Sequence, residues 1–469
     1  MSFKFTRKDF LRNSAFGLSG MLLGGMATST SGNSTLLQRK PWKEKFSAND
    51  RINIATIGMG IIAQFDTATA LEVPGVELVA VSDLYDSRLE HAKNEYGNDL
   101  FTTKDYREIL DRDDIDAILV CTPDHWHAKI SMEAMEAGKH VYCEKPMIHK
   151  LEEGKKIIDV QKKTGMVMEI GSQFASDIVF NKAAELYKSG AIGKLNQVSI
   201  AYNRNSALGA WQYSMPEDAN AKNIDWDTWL GDAPKVPFDA KRFFRWRAYE
   251  DYGTGVPGDL FVHLFTGVHT VLDSHGPQYI FGSGNIRSWD DGRELPDVIF
   301  GQYEYPETET HPDFTLLLQG NLADGSNSDS MFRFIGEEGY IDLAPGNNVK
   351  LTRNPRRDAS LNQLMNGYNS VISFSEEVQK EFEKNYKKAH ANMMPTTPEL
   401  DQSKEFHTPD GYDSRLDHFV NFFDAIKNGG TVLEDAEFGL RAAAPSVLTN
   451  KSNDEKTVVE WDPVHMKVV

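Results

Sequence analysis

Cysteine is nearly missing from this chain of 469 residues: Cys121 and Cys143 are the only two. Both lie in apolar, strand-like runs, so they read as buried free thiols rather than as a disulfide or a metal pair. Positive charge is also in short supply. Against 69 Asp and Glu there are 50 Lys and Arg, a formal net charge of -19, and no basic stripe. That excludes a nucleic-acid or anionic-membrane partner, because neutralising phosphates needs clustered cations. Long hydrophobic runs are lacking too. The candidate from Ala15 to Met26 is shorter than the roughly 20 residues a membrane-crossing helix requires. What remains is the composition of a globular chain, with 40% hydrophobic and 25% charged residues. Its length suits two domains of about 100–200 residues each, or three.

Residues 1–47 have a different texture. Arg7, Lys8 and Arg12 precede the short apolar stretch, and small residues follow it, which is the order of an export signal. "TRKDFL" is similar to a twin-arginine signal in which Lys8 stands for the second arginine, a route that carries folded, cofactor-loaded proteins. No cysteine follows, so no lipoprotein anchor is expected. The expected location is periplasmic; if the leader is an amphipathic helix and not a signal, it is cytoplasmic.

From residue 48 to 175, short apolar runs ("INIATIG", "VELVAVSD", "DAILVCT", "HVYCE", "MVMEIG") alternate with segments of helical periodicity. This predicts a doubly wound parallel α/β sheet of Rossmann type. From 176 to 469 longer strand-like runs ("LNQVSIAYN", "QYIFGSGNI", "DVIFGQYEY", "FTLLLQGNL", "SMFRFIG") are separated by Gly, Asn and Asp turns. They predict an α+β domain with a large, mostly antiparallel open sheet. Leu361 to His407 is polar and reads as a surface insertion.

"IATIGMGIIAQFD" places Gly58-x-Gly60-x-x-Ala63 after the first strand and at the start of a helix. A dinucleotide site needs this order: a tight turn at Gly58, close backbone approach at Gly60, and close helix packing at Ala63, with the helix N-terminus facing the pyrophosphate. Asp83 ends the second strand, where a carboxylate accepts from the adenosine ribose and repels a 2′-phosphate. NAD is therefore the expected cofactor, ahead of NADP. His125 and His127 form an H-x-H, but no Cys or carboxylate cluster accompanies them, so no metal is expected.

"LVCTPDHWHAKISMEAMEAGKHVYCEKP", together with the glycine turn, closely resembles the Gfo/Idh/MocA family of sugar oxidoreductases, and the likeness runs from Arg51 to the "EWDP" near the C-terminus. The resemblance implies that Lys145 of "EKP" lies beside the nicotinamide and that Asp259 and His263, spaced D-x-x-x-H, complete the site. It places Asp124, His127 and Gln173 at the cofactor and extends that set to Ile61, Ile62, Thr122 and Glu144. The family's usual glycine two residues after the Asp and second Asp three after the His are replaced by Phe261 and Thr266, which bears on substrate contacts. Tyr202, Asn203 and Arg247 are candidates for the sugar.

Oxidising a secondary alcohol needs a base for the hydroxyl proton and positive charge for the developing oxyanion. His263 suits the first role, Lys145 the second, and Asp259 would orient the imidazole or bind a neighbouring hydroxyl. The expected activity is NAD-dependent oxidation of a sugar, cyclitol or glycoside. An exported protein would need to hold and recycle its cofactor tightly, which opens a second reading. NAD-dependent glycoside hydrolases or lyases oxidise their sugar transiently, although relatives of that kind lack the EKP lysine. A non-catalytic sugar- or nucleotide-binding protein is the third. Sheet-mediated homo-oligomers, dimers or tetramers, are implied by the same resemblance.

Overall fold

The computed structural model describes residues 34–38, 51–326, 331–354, 359–368, 370–390 and 403–469. The export signal read in residues 1–47 falls almost wholly outside them. Its one described stretch holds a short strand, β1 (Ser34–Leu36).

Six parallel strands follow: β2 (Ile52–Ile57), β3 (Val76–Ser82), β4 (Phe101–Thr103), β5 (Ala117–Val120), β6 (His140–Cys143) and β7 (Met168–Ile170). Their spatial order is β4-β3-β2-β5-β6-β7. Chain direction across the sheet therefore reverses between β2 and β5, which opens a crevice at the carboxyl ends of those strands. The strands are short and apolar because both faces are covered; Ala117 to Val120 are all fully buried. Gly165 closes the helix Leu151–Thr164 in a left-handed conformation, as its position in the sequence suggests.

The second sheet is built from β8 (Leu195–Asn203), β9 (Tyr279–Asn285), β10 (Val298–Tyr305), β11 (Phe314–Asn321), β12 (Met331–Gly336), β13 (Gly339–Ala344), β14 (Asn348–Arg353), β15 (Lys404–His407), β16 (Val459–Asp462) and β17 (Lys467–Val468), with β1 at one edge. It has 11 strands in the order β1-β15-β14-β13-β12-β8-β11-β10-β9-β16-β17. All neighbours are antiparallel except β8 with β11 and β1 with β15. Burial alternates along β10, with Ile299, Gly301 and Tyr303 inward and Phe300 and Gln302 outward. The expected surface insertion is corrected at its end. Leu361–Asn366 and Glu376–Ala389 are helices with no buried residue, but Lys404–His407 pairs with β14 and β1 as part of the sheet.

Two late helices return toward the first sheet. Phe419, Phe422 and Phe423 of Ser414–Asn428 join the core under β2 and β3, with Phe419 stacked on Tyr142 at 4.4 Å. Helix Ala436–Glu455 packs so closely on Leu151–Thr164 that a Cβ on Gly154 would stand 2.3 Å from Leu440.

Candidate active site

The crevice at β2 and β5 is shaped by two glycines with different reasons for being glycine. Gly58 has φ +86°, and a Cβ there would lie 2.8 Å from the Cys121 carbonyl oxygen, so the turn itself demands it. At Gly60 the nearest atoms a Cβ would meet belong to the Arg88 guanidinium, at 3.9 Å. Nothing in the protein requires that glycine; the space beyond it does. Gly60 also leads helix Ile61–Ala70 with no side-chain cap, and Ile61 next to it is 59% exposed. Uncapped amides, an open cradle and an exposed aliphatic side chain fit a dinucleotide's pyrophosphate and adjoining ribose. Across the crevice, the buried Thr122 hydroxyl has no protein partner.

Asp83 is buried and accepts from the Met59 amide at 2.6 Å and the Tyr85 amide at 2.9 Å, with Arg88 at 3.3 Å. Its charge is thus partly matched by Arg88, which lies over the rings of Phe243 and Phe244. A segment of the second half closes on this end. The Asp225 amide donates to Leu84, the Asp86 amide donates to Asn223, and the Tyr85 hydroxyl reaches Asp218 at 2.6 Å.

At the other end of the crevice Lys145, Asp259 and Arg247 form one charge cluster. Lys145 Nζ donates to Asp259 Oδ1 at 2.9 Å and to its carbonyl at 3.0 Å; Arg247 Nε donates to the same Oδ1 at 2.9 Å; Trp211 Nε1 donates to Oδ2 at 3.1 Å. The Lys145-Pro146 bond is cis. Burial works against the Asp259 charge, yet Lys145, Arg247 and Arg204 overcome it and hold the carboxylate well below the usual range. Trp211 takes φ +65°, a strained conformation for a bulky side chain, while fully buried. The D-x-x-x-H pair does not sit on one regular α-helical face, because Asp259 belongs to a π-helical turn (Pro257–Phe261) that runs into helix Val262–Leu272. The wider turn separates the two side chains' partners. His263 Nδ1 pairs with Ser172 Oγ at 2.9 Å, and its ring lies 5.3 Å from Phe174. Ser172, not Asp259, fixes the imidazole. Burial, with Lys145 and Arg204 adding to it, depresses the His263 pKa well below the usual value, so the ring is neutral at neutral pH.

Behind β6 a second charged group is enclosed. Glu144 and Asp66 are both buried, and each carboxyl acts on the other's ionisation. Burial pushes both up, Asp66 to about 6 and Glu144 to about 8. Arg415 reaches Asp66 at 3.3 Å from the returning helix.

The remaining candidates are placed as follows. One oxygen of the Asp124 carboxylate, Oδ2, accepts from the Thr254 amide at 3.0 Å and its hydroxyl at 2.7 Å, and the side chain does not cap its helix. His127 is likewise internal: its ring nitrogens face the Pro146 carbonyl at 2.7 Å and the Thr122 carbonyl at 2.9 Å. It braces the two chain ends that line the crevice. His125 Nε2 faces the Trp229 carbonyl at 3.0 Å, and burial lowers its pKa to about 4. Among the described residues no three His, Cys, Asp or Glu side chains are grouped to hold a metal ion. Gln173 follows Ser172 and reaches the Tyr142 hydroxyl at 3.5 Å. Ile62 is half-buried beside Ile61; Tyr202 and Asn203, also half-buried, end β8. Phe261 and Thr266 both point into the core, Thr266 donating to buried Glu434 at 3.1 Å, so neither replacement faces a ligand. Ser172, Arg204, Trp211 and Thr254 escape the sequence reading. Only Arg204, directly after a strand end in "AYNRN", carries a local signal.

Residues 52–172 match the oxidoreductase family with an NAD-binding Rossmann fold. The uncharacterized oxidoreductase YrbE of Bacillus subtilis is 33% identical over 144 residues, 31% of this chain and 42% of that protein. Glycosyl hydrolase family 109 protein 1 of Bacteroides thetaiotaomicron is 25% identical over 357 residues, 72% of this chain and 70% of its own length. The chain thus spans under half of the first relative and more of the second. Among solved structures, levoglucosan dehydrogenase with NADH shares the fold, with a TM-score of 0.59 and 16% identity over 87% of this chain and 99% of that one. The glycine turn and the EKP strand end both lie within the matched segment, and residues 52–172 carry the NAD-binding Rossmann fold of this oxidoreductase family.

Proposed function

We propose that the protein is an NAD-dependent oxidoreductase that removes a hydride from a secondary alcohol of a sugar, cyclitol or glycoside. The observation that carries this reading is the buried Lys145–Asp259–Arg247 cluster beside a neutral His263, at the end of a crevice whose Gly60 cradle fits a dinucleotide. Bound there, NAD would supply the hydride acceptor. The chain's residues do the rest. Neutral His263, its Nδ1 held by Ser172, takes the hydroxyl proton on its other ring nitrogen. Lys145, steadied by Asp259, stabilises negative charge on the substrate oxygen. Gly58, Gly60, Ile61, Ile62, Asp83, Thr122 and Gln173 line the cofactor side, and Tyr202, Asn203 and Arg247 the sugar side. Asp124, His127 and Glu144 act by holding the walls in place.

One finding favours a second reading, transient oxidation with a recycled cofactor as in a glycoside hydrolase or lyase: the match to the family 109 protein covers most of both chains. The closure of residues 218–225 over residues 84–86 supports a tightly held cofactor, which suits that reading and an exported, periplasmic protein alike. The test uses protein purified without added cofactor. Near-stoichiometric NAD on denaturation, with aglycone release from aryl glycosides, means the hydrolase; NADH appearing only with added NAD and sugar means the dehydrogenase. Neither signal on any sugar overturns both.

A further inference from the structure

The protein as a whole is strongly acidic, with a formal net charge of -19, yet the substrate end of the crevice gathers cations. Lys145, Arg247 and Arg204 surround the single carboxylate of Asp259, and the Asp259 charge is shared among all three. Lys145 and Arg247 are its direct partners, with both bonds falling on Oδ1 while Trp211 occupies Oδ2. That leaves Arg204 over. It is half-buried immediately after β8, anchored by main-chain bonds to Asn321 and Asp324, and its guanidinium donates to the Gly209 carbonyl at 3.2 Å and lies 5.3 Å from the Tyr202 ring. No described carboxylate lies within ion-pairing distance of it. Two further acids of the crevice are committed elsewhere, Asp124 to Thr254 and Asp66 to Arg415. His263 registers the imbalance, since Lys145 and Arg204 both act to keep its ring uncharged. An oxidised nicotinamide ring would add one more positive charge. Three cations around one carboxylate leave this end of the crevice with a positive excess, which an anionic ligand would offset.

We propose that the substrate is an acidic sugar, one carrying a carboxylate or a comparable anionic substituent, and that Arg204 is the residue that selects for it. This rests on the reading of the crevice as a sugar site but deepens it by naming the class of sugar. A planar guanidinium offers two parallel N–H donors to a carboxylate, a geometry that an uncharged hydroxymethyl group does not match. Arg204 binds and discriminates; the proton and the developing oxyanion remain with His263 and Lys145.

The experiment titrates the full-length, NAD-loaded protein with matched methyl glycosides of gluco, galacto and manno configuration. Each is offered as the neutral hexoside, the uronate and the 6-sulfate, and dissociation constants are read calorimetrically at low and high salt. The uronate or sulfate of at least one configuration is expected to bind roughly tenfold or more tightly than its neutral partner, the order of one charge-assisted hydrogen bond. That preference should shrink with salt, vanish in Arg204→Gln and survive only in part in Arg204→Lys, which keeps the charge but loses the paired donors. Equal binding within every matched set overturns the proposal, as does a preference that Arg204→Gln leaves intact. Should Arg204→Gln fail to fold, the salt dependence and the Arg204→Lys variant still decide. Turnover separates this from the reading beneath it. An acid bound tightly with neither NADH nor aglycone produced upholds the charge selection and sinks the oxidoreductase. A neutral sugar oxidised as efficiently as its acid does the reverse.

Discussion

Lys145 is held between two acceptors on Asp259, so its removal deletes positive charge at the reacting end while leaving the cofactor end untouched. Lys145→Ala is expected to lower turnover by about 10²- to 10³-fold, as loss of an oxyanion-stabilising donor does, with NAD content after purification unchanged. Ser172→Ala frees the His263 ring and should reduce kcat without weakening NAD binding. With the His263 pKa depressed by burial and by Lys145, the acid limb of kcat/KM in the native protein should lie below the ordinary histidine range of about 6.5. A limb at or above that value removes His263 as the base. Glu144 makes a different statement, about stability. Burial raises its folded pKa from 4.5 to about 8, so the fold favours the protonated form. The stabilisation is full below the unfolded value and is lost as pH rises through the folded one. Glu144→Gln should leave the melting temperature nearly unchanged at pH 4 and raise it at pH 9 by about 2–4 °C. These residues also show what a sequence can carry. The resemblance pointed to Lys145, Asp259 and His263 through short patterns of fixed spacing, and the fold brings Lys145 onto Asp259. Ser172, Trp211 and Arg204 were not legible, because each gains its meaning only when a strand end or loop from another part of the chain arrives beside it.

At the scale of elements, the strand, glycine turn, helix and second strand from Ile52 to Asp83 could be read directly, since local periodicity and turn chemistry coincide there. The π-helical turn at Pro257–Phe261 could not, because D-x-x-x-H spacing is equally compatible with an unbroken α-helix. β13, β14 and β15 were also missed, because they are strands through the neighbours they pair with. The open face of the second sheet has a consequence that can be measured. Tyr279, Phe281, Phe300, Leu317 and Met331 are all at least 38% exposed on β9 to β12, and a groove of about 350 Å³ runs among Phe281, Phe300 and Leu317. Exposed apolar faces of this kind mark interaction sites, and we propose that this one joins copies of the chain. Phe300→Glu should convert the assembly to a smaller species by sedimentation velocity while sparing the melting temperature; a wild-type protein that sediments as a monomer overturns this reading.

Over the whole molecule, specificity for the cofactor depends on both halves. Asp83, proposed for the ribose, has Arg88 beside it, and Arg88 is steadied by Phe243 and Phe244 from beyond the first sheet. Asp83→Ala should therefore weaken NAD and strengthen NADP, leaving Arg88 to meet a 2′-phosphate; unchanged affinities for both would remove Asp83 from the ribose site. Each wall of the crevice is tied across the same boundary: Asp124 to Thr254, Lys145 to Asp259, Ser172 to His263, and Leu84 and Asp86 to residues 223–225. For protein engineering this makes the nucleotide half a poor interchangeable part. A first sheet transplanted from a relative would arrive with its strand ends cut to other partners, and would recover a working crevice only if the stretch from Tyr202 to His263 travelled with it.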